Sequence, residues 1–337
     1  MMTDSYADIG PRVFLAIAAR RIVRADCIAG IGWHVETVLD GPSPVTLAAD
    51  PAHRDIIYAG TQGNGVYRST DGGRRWTPCG LAGQIVKSIA VSPHDPDVIY
   101  AGVKPAAIYK TTDGGRRWAE LAEFRRVPNR WWWFSPAEPP FRAYVNAIAI
   151  SPNEPDVVLA GIELGAVVRS EDGGRNWSRH RRGALRDCHS LAFHRTNGQW
   201  VYEAGGTGGG AAVSRDGGRT WEQPKNGLAK KYGVVCAADP ARPEVWYVAL
   251  APGPGKAYGE KAEAYLYRAS AGADWEPIGW QPHPMGQMPR ALVTLPGAPG
   301  QLFVGTTYGD VWHTADYGDS WRRLPFDLGG GLSMLVL

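Results

Sequence analysis

The sequence predicts an all-β fold, a seven-bladed β-propeller, and two observations carry that prediction. First, a short pattern of serine or threonine, aspartate, glycine and tryptophan (S/T-x-D-x-G-x-x-W) recurs along the chain about every forty residues. Second, the two ends of the chain carry the strand patterns of one further repeat, divided between them. We therefore expect residues 1–337 to form one domain, although the length alone would allow two.

The repeated pattern is a turn signal. Complete copies end at Trp76, Trp118, Trp177, Trp221 and Trp321, and a copy shortened by two residues ends at Trp275. Glycine supplies the positive φ that a tight hairpin turn requires, and short Asp, Ser and Thr side chains can bind the turn's own backbone. The aspartates of the pattern are therefore predicted to be structural and not catalytic; they are Asp71, Asp113, Asp172, Asp216 and Asp316.

Each repeat is expected to fold into four strands, A to D, with the pattern as the turn from C to D. In the second repeat we predict strand A over residues 86–92, strand B over 98–102, strand C over 108–111 and strand D over 118–124. The A strands of the other repeats are predicted over residues 45–50, 145–151, 189–194, 233–239 and 290–295.

The seventh repeat is predicted to be shared by the two ends. Residues 332–337 have the pattern of a strand A, and residues 12–39 supply strand B (12–18), strand C (21–25) and strand D (33–39). Trp33 precedes Trp76 by 43 residues, close to the 42 residues between Trp76 and Trp118. A blade formed by both ends removes the open sheet edge that would otherwise invite aggregation.

With this turn pattern the chain resembles the Asp-box, or BNR-repeat, β-propeller families. They include bacterial-type repeat proteins, sialidases and other glycosyl hydrolases such as xyloglucanases, the sortilin ectodomain and photosystem II assembly factors. The resemblance covers nearly the whole chain and implies the fold more than the function. A sialidase would carry three arginines around the sugar carboxylate, and a xyloglucanase two tandem propellers. Because only Arg290 lies at a strand-A start and only one propeller is predicted, both activities are disfavoured.

Composition argues against several classes of protein. The net charge is only +3 and the arginines are scattered, so we predict no nucleic-acid partner. The four cysteines form no CxxC pair, which argues against a disulfide framework and a thiolate metal site. The first apolar run, residues 13–19, is too short to span a bilayer and lacks the order of a secretory signal. We expect a cytoplasmic protein with no membrane contact, cofactor or metal.

Long connections indicate which face of the propeller carries the function. The D-to-A and B-to-C connections of a propeller emerge opposite the C-to-D turns, and three long segments are of these kinds: residues 125–144, 251–264 and 281–289. Long loops in compact folds are usually functional or disordered, and three on one face favour function. The first contains Trp131, Trp132 and Trp133, which either cap two blades as a hydrophobic cluster or form a stacking wall for a sugar or other flat ligand.

Aligned strand starts and ends predict a set of polar side chains around one mouth on that face. Each A strand contributes a side chain at one aligned position near its start. The residue two positions earlier lies on the same side of the strand and contributes a second side chain. The ends of the B strands reach the same rim. The predicted catalytic residues are Glu163, Asp187 and His189, and the predicted ligand-binding residues are Arg290, Asn146, Lys87, Lys104, Tyr144, Trp131, Trp132 and Trp133. For Lys87 or Lys104 alone, the alternative interpretation is a solvated charge on the rim with no role in binding.

Three functions are open to such a mouth. The first is recognition of a polar, carbohydrate-like small ligand, with glycosidase-like hydrolysis if the protein is catalytic, because two carboxylates from adjacent blades can act as acid and as base or nucleophile. The second is a non-catalytic scaffold whose same face docks a protein partner, since an exposed aromatic loop suits that role too. The third is a metal-dependent lyase or hydrolase with His189 as a ligand, for which only one rim histidine is available.

Overall fold

The computed structural model describes residues 10–337, except 138, 140, 225, 272, 273, 331 and 332. Within these residues the chain forms seven antiparallel sheets and almost no helix. The innermost strands of successive sheets contact one another in a closed circuit, so the sheets are the blades of a propeller. The predicted seven-bladed fold is confirmed. No helix of the described part is long and apolar enough to cross a bilayer.

Five blades contain four strands each, and in four of them the order in the sheet follows the order in the chain. Blade 1 consists of β4 (Pro44–Ala49), β5 (Ile57–Thr61), β6 (Val66–Ser69) and β7 (Thr77–Pro78). Blade 2 consists of β8 (Ile85–Val91), β9 (Val98–Lys104), β10 (Ala107–Thr112) and β11 (Ala119–Glu120). Blade 5 consists of β18 (Tyr232–Ala238), β19 (Trp246–Ala251), β20 (Tyr265–Ala269) and β21 (Glu276–Ile278). Blade 6 consists of β22 (Pro289–Val293), β23 (Leu302–Thr306), β24 (Asp310–Thr314) and β25 (Arg322–Asp327).

Blades 3 and 4 have only three strands each in the described part, so the prediction of four strands in every repeat is wrong there. Blade 3 consists of β12 (Val145–Ile150), β13 (Val158–Ile162) and β14 (Val167–Ser170), and blade 4 of β15 (Cys188–Phe193), β16 (Val201–Gly205) and β17 (Ala211–Ser214).

Side chains replace part of the outer ladder in blade 3, where the N–H groups of Ser178 and Arg181 still donate to the carbonyls of Arg169 and Val167. The N–H groups of Val167 and Arg169 donate to the side chains of His180 and Ser178 instead of to strand carbonyls. In blade 4 a single bridge joins Val213 to Glu222. Pro224 follows within two residues and has no N–H to donate, which prevents a longer ladder there.

The outer strand of blade 2 is also shorter than predicted. The expected strand over residues 118–124 is β11 alone, followed by a 3-10 helix over Ala122–Arg126. Phe124 explains the departure, because the helix turns its ring into the core, where it is fully buried and packs against Trp133 and Trp177. A second 3-10 helix covers Arg130–Trp132, and the one short α-helix of the described part, α1, covers Pro254–Ala257.

Blade 7 is built from both ends of the chain, as predicted. Its strands lie in the order β26 (Met334–Val336), β1 (Val13–Ala18), β2 (Arg21–Ile28) and β3 (Gly32–Leu39). Phe14 is opposite Val336 and Ala16 is opposite Met334 in an antiparallel pair. The first residue of the predicted strand, Leu332, lies outside the described residues.

Hydrophobic clusters between neighbouring blades hold the ring together. Phe14 of blade 7, for example, is fully buried and packs edge-on against Phe303 of blade 6 at 5.4 Å and against Trp33 of its own blade at 5.5 Å. Glycines on the B strands allow the next blade to approach closely. A Cβ on Gly102 would lie 2.6 Å from the Val145 side chain, so no larger residue fits without displacement of blade 3.

The S/T-x-D-x-G-x-x-W turns have one common geometry. In the first copy the Ser69 hydroxyl donates to Asp71 and accepts from the N–H of Gly73, while the Asp71 carboxylate accepts the N–H groups of Arg74 and Arg75. In the turns with glycine directly after the aspartate, that glycine donates its N–H to the A-to-B connection of its own blade. In the first copy, Gly72 donates to the carbonyl of Asp55. These turns therefore lie on the face of the A-to-B connections, which we call the turn face. The opposite side is the loop face.

Candidate functional site

A β-bulge at the start of strand A places the candidate residues. In blades 1 to 6 the register between strands A and B slips by one residue at the same position, so one residue of strand A has no partner on strand B. A bulge of this kind bends the strand and re-aims the extra side chain. The six bulged residues are Val45, Lys87, Asn146, His189, Val234 and Arg290.

Three predicted residues meet between blades 3 and 4. Glu163 follows β13, Asp187 precedes β15, and His189 is the bulged residue of β15. His189 Nε2 lies 3.4 Å from Asp187 Oδ2 and 3.7 Å from Glu163 Oε2. One donor atom from each side chain falls within 4.8 Å of the other two, and the three side chains are at most 10% exposed. We call these residues the carboxylate–histidine cluster.

Each member of the cluster is oriented by a hydrogen bond to a residue outside the cluster. His189 Nδ1–H donates a hydrogen bond to the carbonyl oxygen of Gly233 in blade 5, 2.6 Å away, which leaves Nε2 directed at the carboxylates. Asp187 Oδ1 accepts the N–H of Leu164 at 3.1 Å, so Oδ2 is turned towards His189. Glu163 accepts a hydrogen bond from the Tyr144 hydroxyl. Neighbouring blades therefore fix the orientation of the cluster.

The two carboxylates of the cluster have opposite proton affinities. Burial, with the nearby charge of Asp187, raises the pKa of Glu163 to about 7, although His189 opposes that rise. Burial also disfavours the ionised form of Asp187, but the hydrogen bond and charge of His189 and the Leu164 N–H outweigh it and lower the pKa of Asp187. Burial alone would lower the pKa of His189, but Asp187 and Glu163 raise it. Below about pH 7 the cluster thus pairs a mostly protonated carboxyl, Glu163, with an ionised one, Asp187.

Two lysines share one aromatic ring beside the cluster. The ammonium groups of Lys87 and Lys104 lie 5.0 Å and 5.7 Å from the centre of the Tyr144 ring, within range of cation–π attraction. Lys104 is only 3% exposed, so the interpretation of this residue as a solvated rim charge is wrong. β9 extends two residues beyond its predicted end and buries Lys104 against β8, where it is opposite Ile85.

The remaining rim candidates occupy different surroundings. Asn146 donates through Nδ2 to the carbonyl of Cys188 at 3.2 Å, which ties blade 3 to blade 4. Arg290 lies across the mouth over the ring of Tyr258, at 4.3 Å from the ring centre. Tyr258 follows α1 in the long connection after β19, and it is 56% exposed.

The three consecutive tryptophans divide between the two predicted roles. Trp133 is half-buried and packs against the core ring of Phe124 at 5.8 Å, as a capping cluster would. Trp131 and Trp132 are exposed and stack on each other with ring centres 4.4 Å apart. Trp132, Trp133 and Phe134 line one side of a cleft of about 540 Å³, and its other side includes Leu164 and Arg186. Those two residues are the chain neighbours of Glu163 and Asp187, so the cleft adjoins the cluster.

Known structures resemble this one as propellers. The GH74 xyloglucanase from Xanthomonas campestris matches with a TM-score of 0.63 and 21% identity, over 86% of this chain and 46% of its own. An ancestral GH74 enzyme matches with a TM-score of 0.63 and 18% identity, over 84% of this chain and 39% of its own. YCF48 bound to a D1 peptide matches with a TM-score of 0.57 and 15% identity, over 83% and 80%.

The likeness establishes the fold. This chain spans less than half the length of these two GH74 enzymes. No protein-family model matches the sequence. No curated protein matches it either.

Sequence reasoning missed two residues near the mouth. Tyr258 belongs to a connection that was singled out for its length, but no residue within it was chosen. Glu203, on β16, is fully buried, and this burial raises its pKa to about 8. Its Oε2 accepts the N–H of Leu185 at 2.9 Å, two residues before Asp187. A carboxylate in an apolar strand was the available signal for Glu203.

The cluster can support two kinds of chemistry. A protonated carboxyl beside an ionised one, with an imidazole between them, can donate and accept protons at a bound ligand. One imidazole nitrogen and two carboxylate oxygens also form a donor set that a divalent cation accepts, and the outward hydrogen bond of His189 is of the kind that orients metal ligands.

Proposed function

We propose that the protein binds a polar, carbohydrate-like ligand on the loop face and hydrolyses a glycosidic bond at the carboxylate–histidine cluster. The observation that carries the proposal is the opposed protonation of two carboxyls from adjacent blades. The pKa of Glu163 is raised to about 7 and the pKa of Asp187 is lowered. One carboxylate oxygen of Glu163 lies within 4.8 Å of one of Asp187. Two carboxyls with separated proton affinities are what glycoside hydrolysis requires.

The roles follow from the two protonation states. Glu163 is mostly protonated below about pH 7 and donates its proton to the departing glycosidic oxygen. Asp187 is ionised and attacks or stabilises the sugar carbon. Because the oxygens lie within 4.8 Å, the pair is closer than the spacing of about 6.5–9.5 Å that leaves room for a water in inverting enzymes. The geometry therefore favours attack by Asp187, which forms a covalent glycosyl–enzyme ester as the protonated leaving group departs. Water, deprotonated by the now ionised Glu163, then breaks that ester and releases the sugar with net retention of configuration.

His189 serves this pair as a positioning residue and proton carrier. Its Nδ1 is bound to the Gly233 carbonyl, so its Nε2 side always faces the carboxylates. A protonated Nε2 holds Asp187 ionised, which keeps that carboxylate available for attack. Loss of the imidazole would allow the two carboxyls to share a proton and would remove the difference between them.

The cleft beside the cluster supplies a binding surface for the ligand. Trp132 and Phe134 are exposed on one side and Arg186 is on the other. A sugar ring offers an apolar face to an aromatic ring and hydroxyl groups to polar side chains, so this combination suits a carbohydrate. The propellers of the GH74 enzymes, and membership of the Asp-box repeat family that the turn pattern implies, support the same ligand class.

A thermal-shift screen of neutral and acidic oligosaccharides tests the proposal, because a bound ligand raises the melting temperature by mass action. We expect at least one oligosaccharide to stabilise the protein and to be cleaved. Asp187→Asn and His189→Ala should abolish cleavage while the ligand-free melting temperature stays nearly unchanged. Asp113→Ala, on the turn face, is the matched control and should leave cleavage intact. If the three cluster variants, including Glu163→Gln, all unfold, the residues are structural and the proposal fails.

A protein-docking scaffold is the second candidate. The exposed, stacked pair Trp131 and Trp132 favours it, since paired aromatic rings on a surface are typical of interface hot spots. The neighbour YCF48 binds a D1 peptide. Under this alternative Trp131→Ala would abolish binding of a protein partner, Asp187→Asn would have no effect on it, and no oligosaccharide would be cleaved.

A metal-dependent lyase or hydrolase is the third candidate, and it rests on the same cluster. Titration with Mn²⁺ and Zn²⁺ separates it from the proposal. We expect turnover to survive chelation by EDTA, because proton transfer by Glu163 needs no metal. Turnover that stops with EDTA and returns with one equivalent of metal would reassign the cluster to metal binding.

We also propose a cytoplasmic location, with neither nucleic acid nor membrane as a partner.

A further inference from the structure

Arg290 is held at the mouth by aromatic rings. It is the bulged residue of β22, and its guanidinium lies 4.3 Å above the centre of the Tyr258 ring. The Tyr258 hydroxyl also hydrogen-bonds the guanidinium. A guanidinium stacked in this way keeps its donor edges in the plane of the group, free to meet a planar or tetrahedral anion.

Two tyrosines connect this arginine to the carboxylate–histidine cluster. The rings of Tyr258 and Tyr232 meet edge-on at 6.4 Å, and their hydroxyls are hydrogen-bonded. The Tyr232 ring lies 4.9 Å from the ring of His189. Arg290 is therefore two rings away from His189, and one extended ligand of a few sugar units can reach both.

Arg290 has no counter-ion among the described residues, since no described carboxylate oxygen lies within 4.0 Å of its guanidinium. Its Nε is buried and makes no hydrogen bond there. Burial also lowers its pKa. Buried arginines of the turn face differ: Arg24 is paired with Asp26 at 2.6 Å, and Arg169 is paired with Glu171. A partly buried guanidinium without a carboxylate is costly, so a ligand that supplies the anion gains affinity.

We propose that Arg290, on the face of Tyr258, binds an oxyanion of the ligand, so that the substrate is an acidic carbohydrate. This inference rests on the proposed hydrolysis and names its substrate class. The anionic group is a uronic-acid carboxylate or a sulfate or phosphate ester, which share the oxygen pair that a guanidinium edge binds. The anion lies on the blade 6 side of the mouth, and the cleaved bond lies at the cluster between blades 3 and 4.

Matched oligosaccharides test the subsite. A uronic-acid oligosaccharide is compared with the same compound after reduction of its carboxylates to alcohols, and with sulfated and phosphorylated versions of the neutral compound. Dissociation constants are measured by calorimetry. We expect the wild-type protein to bind at least one anionic form about tenfold or more tightly than the neutral form, as charge-assisted pairs do. The preferred form identifies the anion as carboxylate, sulfate or phosphate.

Variants of the subsite assign that preference. Arg290→Gln should weaken binding of the preferred anionic ligand about tenfold or more and remove the difference between its affinity and that of the neutral ligand, both measured in the same variant. Arg290→Lys should keep part of the preference, because a charge remains but the paired donors do not. Tyr258→Phe keeps the ring and removes the hydroxyl, so it should weaken the preference only a few-fold. Ligand-free melting temperatures show whether each variant is folded.

Failure of the inference and failure of the proposed function give different results. If neutral oligosaccharides bind and are cleaved, but anionic forms bind no better or Arg290→Gln retains the preference, the subsite is overturned and hydrolysis stands. If no oligosaccharide is cleaved, but free glucuronate, sulfate or phosphate stabilises the wild-type protein and not Arg290→Gln, the subsite stands and hydrolysis fails. If no anion in any form distinguishes the wild-type protein from Arg290→Gln, the inference is wrong.

Discussion

Carboxylates on the two faces of the propeller have opposite environments. On the turn face Asp113 is only partly buried, and hydrogen bonds from the Arg117 side chain and backbone and from Thr111 lower its pKa to about 2. On the loop face Glu163 is buried, and burial raises its pKa to about 7. The first carboxylate is satisfied by donors of its own turn, whereas the second keeps its proton for lack of them.

This contrast shows how one fold assigns different work to the same chemical group. A carboxylate that is held ionised by its own turn stabilises that turn and has little affinity left for a proton. A carboxyl that burial keeps protonated destabilises the folded chain at higher pH but can donate a proton to a ligand. The turn face therefore contributes stability. Under the proposed function, the loss of stability at Glu163 accompanies its role as a proton donor.

The largest expected effect separates the roles of the two cluster carboxyls. Glu163→Gln should lower kcat on an ordinary glycoside about a thousandfold, because the departing oxygen loses its proton donor. On an aryl glycoside whose leaving group needs no proton, kcat of the same variant should fall less than about tenfold. Asp187→Asn should be slow on both substrates. Equal losses in Glu163→Gln on the two substrates would show that Glu163 is not the acid.

The pH dependence of stability gives the next largest effect. The unfolded chain releases the Glu163 proton near pH 4.5 and the folded chain near pH 7, so the folded state binds more protons between these values. The free energy of unfolding should therefore fall by up to about 3 kcal/mol as the pH rises from 4.5 to 7. Urea unfolding of Glu163→Gln should show a smaller fall.

Glu203→Gln provides the comparison, because burial raises the pKa of Glu203 as well, to about 8. In Glu203→Gln the free energy of unfolding should no longer show the part of its fall that is due to Glu203. That part should extend to higher pH than the part due to Glu163. Identical pH profiles for the wild-type protein and Glu163→Gln would mean that the pKa of Glu163 is the same in the folded and the unfolded chain.

A smaller effect is expected from the turn face. Asp216 accepts the N–H groups of Arg219 and Thr220 and the hydroxyls of Ser214 and Thr220. Asp216→Ala leaves these donors to water and should lower the free energy of unfolding by about 1–3 kcal/mol, measured by urea titration. Turnover per folded molecule should stay at the wild-type value. A variant with normal stability and reduced kcat would reverse the assignment of the two faces.

The smallest effect on stability is expected at the exposed aromatic loop. Trp132→Ala should change the free energy of unfolding by less than about 0.5 kcal/mol, because the ring is exposed. It should still raise KM for an oligosaccharide several-fold, since the ring lines the cleft beside the cluster. Trp133→Ala is the matched comparison and should be clearly less stable, because Trp133 packs on Phe124. Unchanged KM in Trp132→Ala would remove the cleft from ligand binding.

Local rules made most of the fold predictable. Turn chemistry and the spacing of Trp33, Trp76 and Trp118 gave the blade count, and the strand patterns at both ends gave the closing pair that joins Phe14 to Val336. The outer strands were less predictable because their ladders compete with other partners. The N–H of Val167 is taken by the His180 side chain, and Phe124 leaves its strand to reach the core.

The site was predictable only as a set of positions. Strand alignment placed Glu163, Asp187 and His189 at one rim, and the structure brings them together. The bulge that re-aims His189 depends on the slip between two strands, which no single strand's pattern contains. The support of His189 by Gly233 and of Arg290 by Tyr258 joins separate blades, and contacts between blades are invisible in a period of about forty residues.

The bulges have a consequence for how such a protein acquires new ligands. Lys87, Asn146, His189 and Arg290 each sit at a point where the ladder already skips a residue, so the pairing of the flanking residues does not depend on which side chain stands there. A combinatorial library that randomises only those codons, with Val45 and Val234, would alter recognition all around the mouth while every hairpin kept its alignment. Evolution can use the same freedom one codon at a time.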